Sequence, residues 1–204
     1  MNSLPSLDWQ KSGGLVPAIV QDADTQQVLM LGYMNAAALE QTLATKRVTF
    51  FSRSKNRLWV KGETSGHFLD FLSASVDCDA DALLVLARPN GPTCHRGTCS
   101  CFSEGGASGV GFLAELERTV VQRIADGGEK SYTARLVAEG VKRVAQKVGE
   151  EGVETALAAT AGTNEELAGE VADLLFHLIV LLRAKGLSLA DATRVLEARH
   201  AAKR

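Results

Sequence analysis

The sequence predicts an α+β, β-rich domain followed by an all-α helical-bundle domain. Up to about residue 103, short runs rich in β-branched and aromatic residues alternate with turns, whereas beyond residue 110 apolar residues recur at helical spacing. A glycine-rich stretch at residues 104–109 separates these patterns, as expected of a flexible connector. We therefore expect domains at residues 1–103 and 111–204, joined by a linker at residues 104–110.

The first domain is expected to contain two hairpins, one short helix and two further strands. Polar residues 22–25 and 54–57 have the composition of hairpin turns. Asn35 is suited to cap a helix that runs through Leu43. Residues 89–92, with two prolines and a glycine, break the chain after the last strand. The expected strands cover residues 15–20, 28–34, 48–53, 58–61, 68–76 and 83–87.

The second domain is expected to contain four helices. Ser131 is suited to cap one long second helix. Thr163 and Ser188 each stand three residues before an acidic residue, which is the spacing of a capping box, so each is expected to begin a helix. Glycines are expected to end the first helix at residues 127–128 and the third at Gly186. The apolar positions of the first two helices are Leu113, Leu116, Val120, Ile124, Leu136, Val144 and Val148.

The composition argues against several classes of function. The chain has 204 residues, 46% hydrophobic and 23% charged, with a formal net charge of -2. This balance argues against a broad basic surface for nucleic acid, although a nucleotide needs only a few local donors. Residues 1–10 lack the pattern of a secretory signal, and the longest apolar run, residues 174–182, is too short to span a membrane. We therefore expect a cytoplasmic protein without a membrane partner.

All four cysteines lie between Cys78 and Cys101. An even number of cysteines is compatible with disulfides, but a reducing cytoplasm favours a metal-binding or catalytic role for clustered thiols. The other two are Cys94 and Cys99, and the spacing of the four cysteines differs from that of a paired structural zinc motif. Three thiolates with one open position are what a catalytic zinc needs to hold and acidify a water. His95, next to Cys94, is then a candidate general acid or base, although a lone histidine is often structural.

Three aspartates alternate with other residues around Cys78. In an extended chain they would share one face, with Cys78 on the other. Crowded carboxylates repel one another unless a hard cation neutralises them, and oxygen ligands suit Mg²⁺. A solvated acidic turn is the alternative. The aspartates are Asp77, Asp79 and Asp81.

The first half resembles phosphoribosyl-AMP cyclohydrolase of histidine biosynthesis. The resemblance covers roughly residues 15–102, and it is carried by residues 52–54, 58–67, 77–81 and 94–102. It implies a dimer in which Cys78 is offered across the subunit interface. The implied zinc ligands are Cys78, Cys94 and Cys101, and the implied magnesium ligands are Asp77, Asp79 and Asp81. Cys99 matches no ligand of the family.

The implied chemistry is hydrolytic ring opening. In the family's substrate, N1 of the adenine carries a ribosyl group, so a zinc-bound hydroxide can add at the electron-poor C6, after which the N1–C6 bond breaks. The signature of nucleobase deaminases is absent, which makes loss of ammonia the weaker alternative. Several donors in or near a glycine-bearing turn are candidates for binding a phosphate, although any hairpin loop contains similar residues. They are Arg53, Lys61, Thr64, Ser65 and His67.

Carboxylates at spacings of three and four lie on two predicted helices of the second half. The helix from Thr163 to Gly186 has a narrow polar seam in an otherwise apolar surface, so we expect it to be buried on most sides with the seam facing a pocket. A solvated stripe is the alternative. The seam consists of Glu166, Glu170, Asp173 and His177, and the preceding helix carries Glu150, Glu151 and Glu154.

This half resembles phosphoribosyl-ATP pyrophosphohydrolase, a family of the all-α nucleoside-triphosphate pyrophosphohydrolases. The resemblance covers residues 112 to about 200 and is carried by residues 131–133, 147–154 and 170–177. It implies Mg²⁺ that orients the polyphosphate and activates water, with Glu150 as an added ligand or base and Lys147 as a phosphate contact. The implied magnesium ligands are Glu151, Glu154, Glu170 and Asp173.

The two resemblances name enzymes that catalyse consecutive steps, so a bifunctional enzyme is expected. Its substrates would be phosphoribosyl-ATP and phosphoribosyl-AMP, and its zinc site would be shared within a homodimer. One rival is a general nucleotide-pool hydrolase with a regulatory metal domain, which would cleave free nucleoside triphosphates equally well. The other is a zinc-responsive dimeric binding protein, in which a fourth protein ligand replaces the water.

Overall fold

The computed structural model describes residues 6–102, 105–128 and 130–202. It divides into two compact units, the first ending at Phe112 and the second beginning at Leu113. Residues 103 and 104, where we expected the first domain to end and the linker to begin, lie outside the described residues, as do the first five residues of the chain. None of the helices in the described ranges is both long and apolar enough to cross a membrane.

The first unit is built on a four-stranded sheet and a separate hairpin. The sheet has the order β2-β1-β6-β5, in which β1 and β6 are parallel and the outer pairs are antiparallel. Helix α1 spans Ala36–Thr45, and the strands are β1 Val16–Asp22, β2 Val28–Met34, β3 Thr49–Ser52, β4 Arg57–Val60, β5 Leu69–Val76 and β6 Leu83–Pro89. Strands β3 and β4 form the hairpin. These elements confirm the two predicted hairpins, the short helix and the two further strands.

Local residue chemistry explains the positions of these elements. The side chain of Asn35 accepts a hydrogen bond from the backbone N–H of Ala38 at 2.9 Å, which begins α1 as predicted. The alternating side chains of β1 place Val16, Ala18 and Val20 in the core. The sheet core therefore supports the β5–β6 turn and the loop after β6, where the candidate site residues lie.

The second unit contains helices α2 Gly111–Asp126, α3 Tyr132–Ala138, α4 Val141–Ala161, α5 Asn164–Ala184 and α6 Leu189–Ala201. Thr163 and Ser188 form the predicted capping boxes at the starts of α5 and α6. The prediction of one long helix after Ser131 was wrong, because Gly140 separates α3 from α4. Its φ of 97° lies outside the helical region.

The expectation that α5 would be buried on most sides was also wrong for the described chain. Its second half contributes Ile179 and Val180 to the core. Its first half is more exposed, and Val171 retains 37% of its accessible surface. An apolar sequence therefore did not by itself predict burial along the whole helix.

Candidate active sites

The three aspartates lie in the turn between β5 and β6, and one carboxylate oxygen of each lies within 4.8 Å of the other two. The prediction of an extended chain here was wrong. Ala80 takes a left-handed conformation with φ of 62°. The backbone N–H groups of Asp81 and Ala82 both donate to the Asp77 carboxylate at 3.0 Å. A tight turn, rather than strand alternation, therefore brings the carboxylates together.

Lys11 lies beside the aspartate turn. Its ammonium group pairs with Asp79 and, at 2.7 Å, with Asp81. The hydrogen bond from Lys11 lowers the pKa of Asp79, and the same bond raises the pKa of Lys11. Sequence analysis missed this contact because Lys11 is far from the turn along the chain and no local motif links them.

Cys94 and Cys101 lie in the loop after β6, close enough that each thiol shifts the pKa of the other. The backbone N–H of Arg96 and the hydroxyl of Thr98 lower the pKa of the buried Cys94 thiol. Burial raises the pKa of the Cys101 thiol. The backbone N–H of Cys101 donates to the carbonyl oxygen of Leu29 on β2 at 2.8 Å, which fixes the loop against the sheet. Two sulfur donors are thus held side by side.

The remaining residues of the expected zinc site lie apart from this pair. Among the described residues of the first unit, Cys94 and Cys101 belong to no set of three possible ligands that all lie within 4.8 Å of one another. Cys78 is exposed in the aspartate turn, and Cys99 is exposed in the loop. The exposed His95 ring places Nδ1 3.8 Å from the Cys94 sulfur. One chain therefore supplies two neighbouring thiols and an adjacent imidazole.

Lys61 and His67, which we expected to contact a phosphate, are both engaged within the protein. The Lys61 ammonium is buried and donates to the carbonyl oxygen of His67 at 3.1 Å. Burial lowers the pKa of Lys61, while the nearby sulfurs of Cys101 and Cys94 oppose that shift. The His67 ring donates from Nδ1 to the carbonyl oxygen of Asn90 at 3.2 Å. Lys61 is therefore buried close to the two thiols, and its contact with a phosphate stays a prediction.

Two glycines with positive φ pack closely around His67. At Gly62, with φ of 92°, an added Cβ would lie 2.4 Å from the His67 carbonyl oxygen. At Gly91, with φ of 111°, an added Cβ would lie 2.3 Å from Nδ1 of His67. Only glycine fits either position without displacing His67.

The other expected phosphate contacts lie on the surface of the first unit. Thr64 and Ser65 are exposed in the turn that leads to His67. The guanidinium carbon of Arg53 lies 3.8 Å from the centre of the Tyr33 ring, so the ring orients this side chain. These three residues remain accessible to an anion.

Three glutamates of the second unit converge from two helices. Glu151 and Glu154 on α4 and Glu170 on α5 each offer one carboxylate oxygen within 4.8 Å of the others. Loss of hydration, followed by repulsion from Glu151 and Glu170, raises the pKa of Glu154. Glu151 is buried, whereas Glu154 is exposed. The cluster thus has an inner and an outer carboxylate, and its like charges are incompletely compensated.

Asp173 and Glu150 lie outside this group of three. Asp173 is exposed, one helical turn beyond Glu170 on α5. Glu150 accepts hydrogen bonds from Lys147 at 2.8 Å and from Gln146 at 2.7 Å, and the bond from Lys147 is the main cause of its lowered pKa. Lys147 also pairs with Glu151 at 2.9 Å, so this expected phosphate contact is engaged by two carboxylates.

A partly buried polar contact beside the glutamates, between exposed Tyr132 and buried His177, escaped the sequence analysis. The Tyr132 hydroxyl lies 3.0 Å from Nε2 of His177, and Nδ1 of His177 lies 3.5 Å from Oε1 of Glu151. His177 belongs to the predicted polar seam, and Tyr132 to a segment that carries the second resemblance. Nothing in their spacing indicated that α3 would bring the two residues together.

In comparisons with known proteins, the two halves of the chain match two different families. Residues 30–103 match the family model of phosphoribosyl-AMP cyclohydrolase, and residues 113–200 match that of phosphoribosyl-ATP pyrophosphohydrolase. The chain is 60% identical over 198 residues to the histidine biosynthesis bifunctional protein HisIE of Xylella fastidiosa strain Temecula1, covering 97% of this chain and 95% of that protein. It is 56% identical over 194 residues to HisIE of Escherichia coli strain K12, covering 95% of both chains.

Proposed function

Since this chain belongs to the family of bifunctional histidine-biosynthesis proteins, we propose that each of its two hydrolytic steps uses a different metal, held by the donors of a different unit. The helical half cleaves phosphoribosyl-ATP to phosphoribosyl-AMP and pyrophosphate. The first half then opens the adenine ring of that product by hydrolysis. We assign different metals to the two steps because the first unit contains two neighbouring thiols, whereas the second contains a cluster of glutamates.

The glutamate cluster fits Mg²⁺. Its donors are carboxylate oxygens, the ligands that a hard cation prefers, and they lie close enough together for a cation to relieve their mutual repulsion, which adds to loss of hydration in raising the pKa of Glu154. We assign Glu151, Glu154 and Glu170 as ligands on this basis, and Asp173 on the family resemblance. Magnesium bound there would supply positive charge to the polyphosphate and to the leaving pyrophosphate.

Lys147 and Glu150 have separate roles in this proposal. Lys147 holds Glu150 and Glu151 in place through its two ion pairs. Its ammonium group would also attract the negatively charged polyphosphate. The Glu150 carboxylate, held by hydrogen bonds from Lys147 and Gln146, would accept a hydrogen bond from the attacking water and then its proton. Water is thereby oriented toward the α-phosphorus.

The thiol pair fits zinc. Cys94 and Cys101 provide two adjacent sulfurs, and the lowered pKa of Cys94 favours the thiolate that zinc requires. We propose that Cys78 of a second copy supplies the third sulfur, which makes the protein a homodimer. Zinc bound there would supply a Lewis acid that acidifies a water molecule. His95, whose ring lies next to the Cys94 sulfur, would accept a proton from the attacking water and return it to the ring nitrogen as the N1–C6 bond breaks, and Lys61 would offset the charge of the sulfurs.

The aspartate turn is the third proposed metal site, and it would hold Mg²⁺ through Asp77, Asp79 and Asp81. A cation there must displace the Lys11 ammonium from Asp79 and Asp81. Arg53, Thr64, Ser65 and His67 are proposed to bind the phosphates of phosphoribosyl-AMP. We also propose a cytoplasmic location, because the free thiols of all four cysteines suit a reducing compartment.

Incubation of the full chain with phosphoribosyl-ATP, Zn²⁺ and Mg²⁺ tests the proposal, with products identified by mass spectrometry. We expect pyrophosphate and the ring-opened nucleotide, with phosphoribosyl-AMP as the intermediate. Selective removal of zinc should stop the reaction at phosphoribosyl-AMP. If zinc removal leaves ring opening intact, or if Mg²⁺ has no effect on pyrophosphate release, the assignment of metals is wrong. Equal cleavage of free nucleoside triphosphates would favour the general nucleotide-pool hydrolase.

A further inference from the structure

Glu151 differs from the other glutamates of the cluster because it is buried next to a buried histidine. Only 5% of Glu151 and 5% of His177 is exposed to solvent. Oε1 of Glu151 lies 2.9 Å from the Lys147 ammonium and 3.5 Å from Nδ1 of His177. Two nitrogen groups from different helices, α4 and α5, therefore flank one carboxylate oxygen, and the carboxylate cannot rotate without losing both contacts.

The backbone determines which nitrogen of His177 carries a proton. Nδ1 lies 2.9 Å from the carbonyl oxygen of Asp173, which can only accept, so Nδ1 is protonated and donates. Nδ1 also lies 3.5 Å from Oε1 of Glu151, which is a contact at ion-pair distance and not a hydrogen bond. In the neutral ring Nε2 is then an acceptor, and the Tyr132 hydroxyl donates to it at 3.0 Å. The hydrogen bonds of the ring thus run in one direction, from Tyr132 through the imidazole to the Asp173 carbonyl oxygen, and they hold Nδ1 against Glu151.

Aromatic packing holds the histidine ring in this orientation. The centre of the Phe176 ring lies 5.2 Å from that of His177 in an edge-to-face arrangement, and the Tyr132 ring lies 6.1 Å away, also edge-to-face. Phe176 and Tyr132 stack on each other at 6.3 Å. Contacts from α3 and α5 together therefore limit rotation of the imidazole.

We propose that His177, oriented by Tyr132, is a positioning residue that holds the Glu151 carboxylate in the metal-binding geometry of the cluster. This inference rests on the proposed magnesium site and adds two residues that do not themselves bind the metal. Groups that orient metal ligands by hydrogen bonding typically change metal affinity or activity by about 10–100-fold when they are removed. His177 and Tyr132 should therefore affect metal affinity without contacting the substrate.

A matched pair of variants separates positioning from packing. His177→Asn keeps a nitrogen at the place of Nδ1, whereas His177→Gln keeps a polar group near Nε2 and loses the nitrogen that contacts Glu151. Binding of Mn²⁺, as a paramagnetic probe, is measured by electron paramagnetic resonance on the full chain, with the Glu151→Gln variant defining the signal from other sites. We expect His177→Gln to weaken binding about 10–100-fold and His177→Asn to retain most of the affinity. Tyr132→Phe should weaken Mn²⁺ binding by about twofold to tenfold, because it removes one hydrogen bond to His177.

Thermal unfolding without metal and ring opening of phosphoribosyl-AMP serve as controls, and ring opening should be unchanged in all variants. If His177→Asn and His177→Gln lose Mn²⁺ affinity equally, the histidine acts only by packing and the inference is wrong. If Glu151→Gln loses affinity while both His177 variants bind like the wild type, the positioning role fails and the magnesium site stands. If Glu151→Gln binds Mn²⁺ normally, the proposed magnesium site fails first.

Discussion

Replacing Gly91 by alanine should impair the first domain through His67. Gly91 has a φ of 111°, and an added Cβ would lie 2.3 Å from Nδ1 of His67. Gly66 provides a matched control, since its φ of 77° is also positive but no atom lies within 4 Å of its added Cβ. Both substitutions strain the backbone, and only Gly91→Ala displaces the histidine.

The structure sets the expected difference between the two variants. A left-handed conformation costs a residue with a Cβ about 1–2 kcal/mol, and this cost applies to both. In Gly91→Ala the His67 ring must also move and lose its 3.2 Å hydrogen bond to the Asn90 carbonyl oxygen. A net hydrogen bond contributes about 0.5–1.5 kcal/mol, so Gly91→Ala should lower the free energy of unfolding by that much more than Gly66→Ala.

Urea unfolding of each variant, followed by tryptophan fluorescence, measures the stability difference, and steady-state ring opening measures the effect on His67. We expect Gly91→Ala to raise the KM for phosphoribosyl-AMP, while Gly66→Ala leaves it near the wild-type value. Pyrophosphate release should be unchanged in both. Equal stabilities and equal KM values for the two alanine variants would refute the argument that the close contact with His67 requires glycine at position 91.

Three further predictions address the metals and the domains. Cys94→Ala should abolish ring opening and lower bound zinc while pyrophosphate release persists, and Cys99→Ala should change neither; retained ring opening in Cys94→Ala would contradict the zinc assignment. Folding raises the pKa of Glu154, so the metal-free helical domain should lose stability as the pH rises above 4.5. In thermal unfolding, Glu154→Gln should remove this loss of stability and should also remove the stabilisation by Mg²⁺. A fragment ending near Ser103 should open phosphoribosyl-AMP, and one starting near Gly109 should cleave phosphoribosyl-ATP; a well-folded fragment without its activity would count against independent domains.

Sequence predicted those parts of the fold that depend on neighbouring residues. The capping boxes at Thr163 and Ser188 form as expected, because each needs only hydrogen bonds within one helical turn. The single helix predicted after Ser131 failed at Gly140, since glycine is tolerated within helices and its sequence context does not reveal a φ of 97°. Local chemistry thus identified helix starts more reliably than helix interruptions.

The sequence predicted which residues could belong to the candidate sites, but it predicted less well which of them lie close together. Spacing alone placed Glu170 and Asp173 on one face of a helix, yet only Glu170 joins the two glutamates of α4 in the described group. Which of the two meets α4 depends on how the helices cross, and the sequence of one helix does not contain that information. The contact between Tyr132 and His177 was missed for the same reason, because it joins α3 to α5.

The two acidic clusters differ in how far the protein itself compensates their charge. In the aspartate turn, Lys11 pairs with Asp79 and Asp81, and Asp77 accepts two backbone N–H groups. In the glutamate cluster, Lys147 pairs with Glu151, while loss of hydration, followed by repulsion from Glu151 and Glu170, raises the pKa of Glu154 against the attraction of Lys147. Since a cation binds most favourably where negative charge is least compensated, the glutamates should bind Mg²⁺ more tightly than the aspartates. The aspartates come from one turn and the glutamates from two helices, so neither spacing alone shows which cluster a lysine compensates more fully.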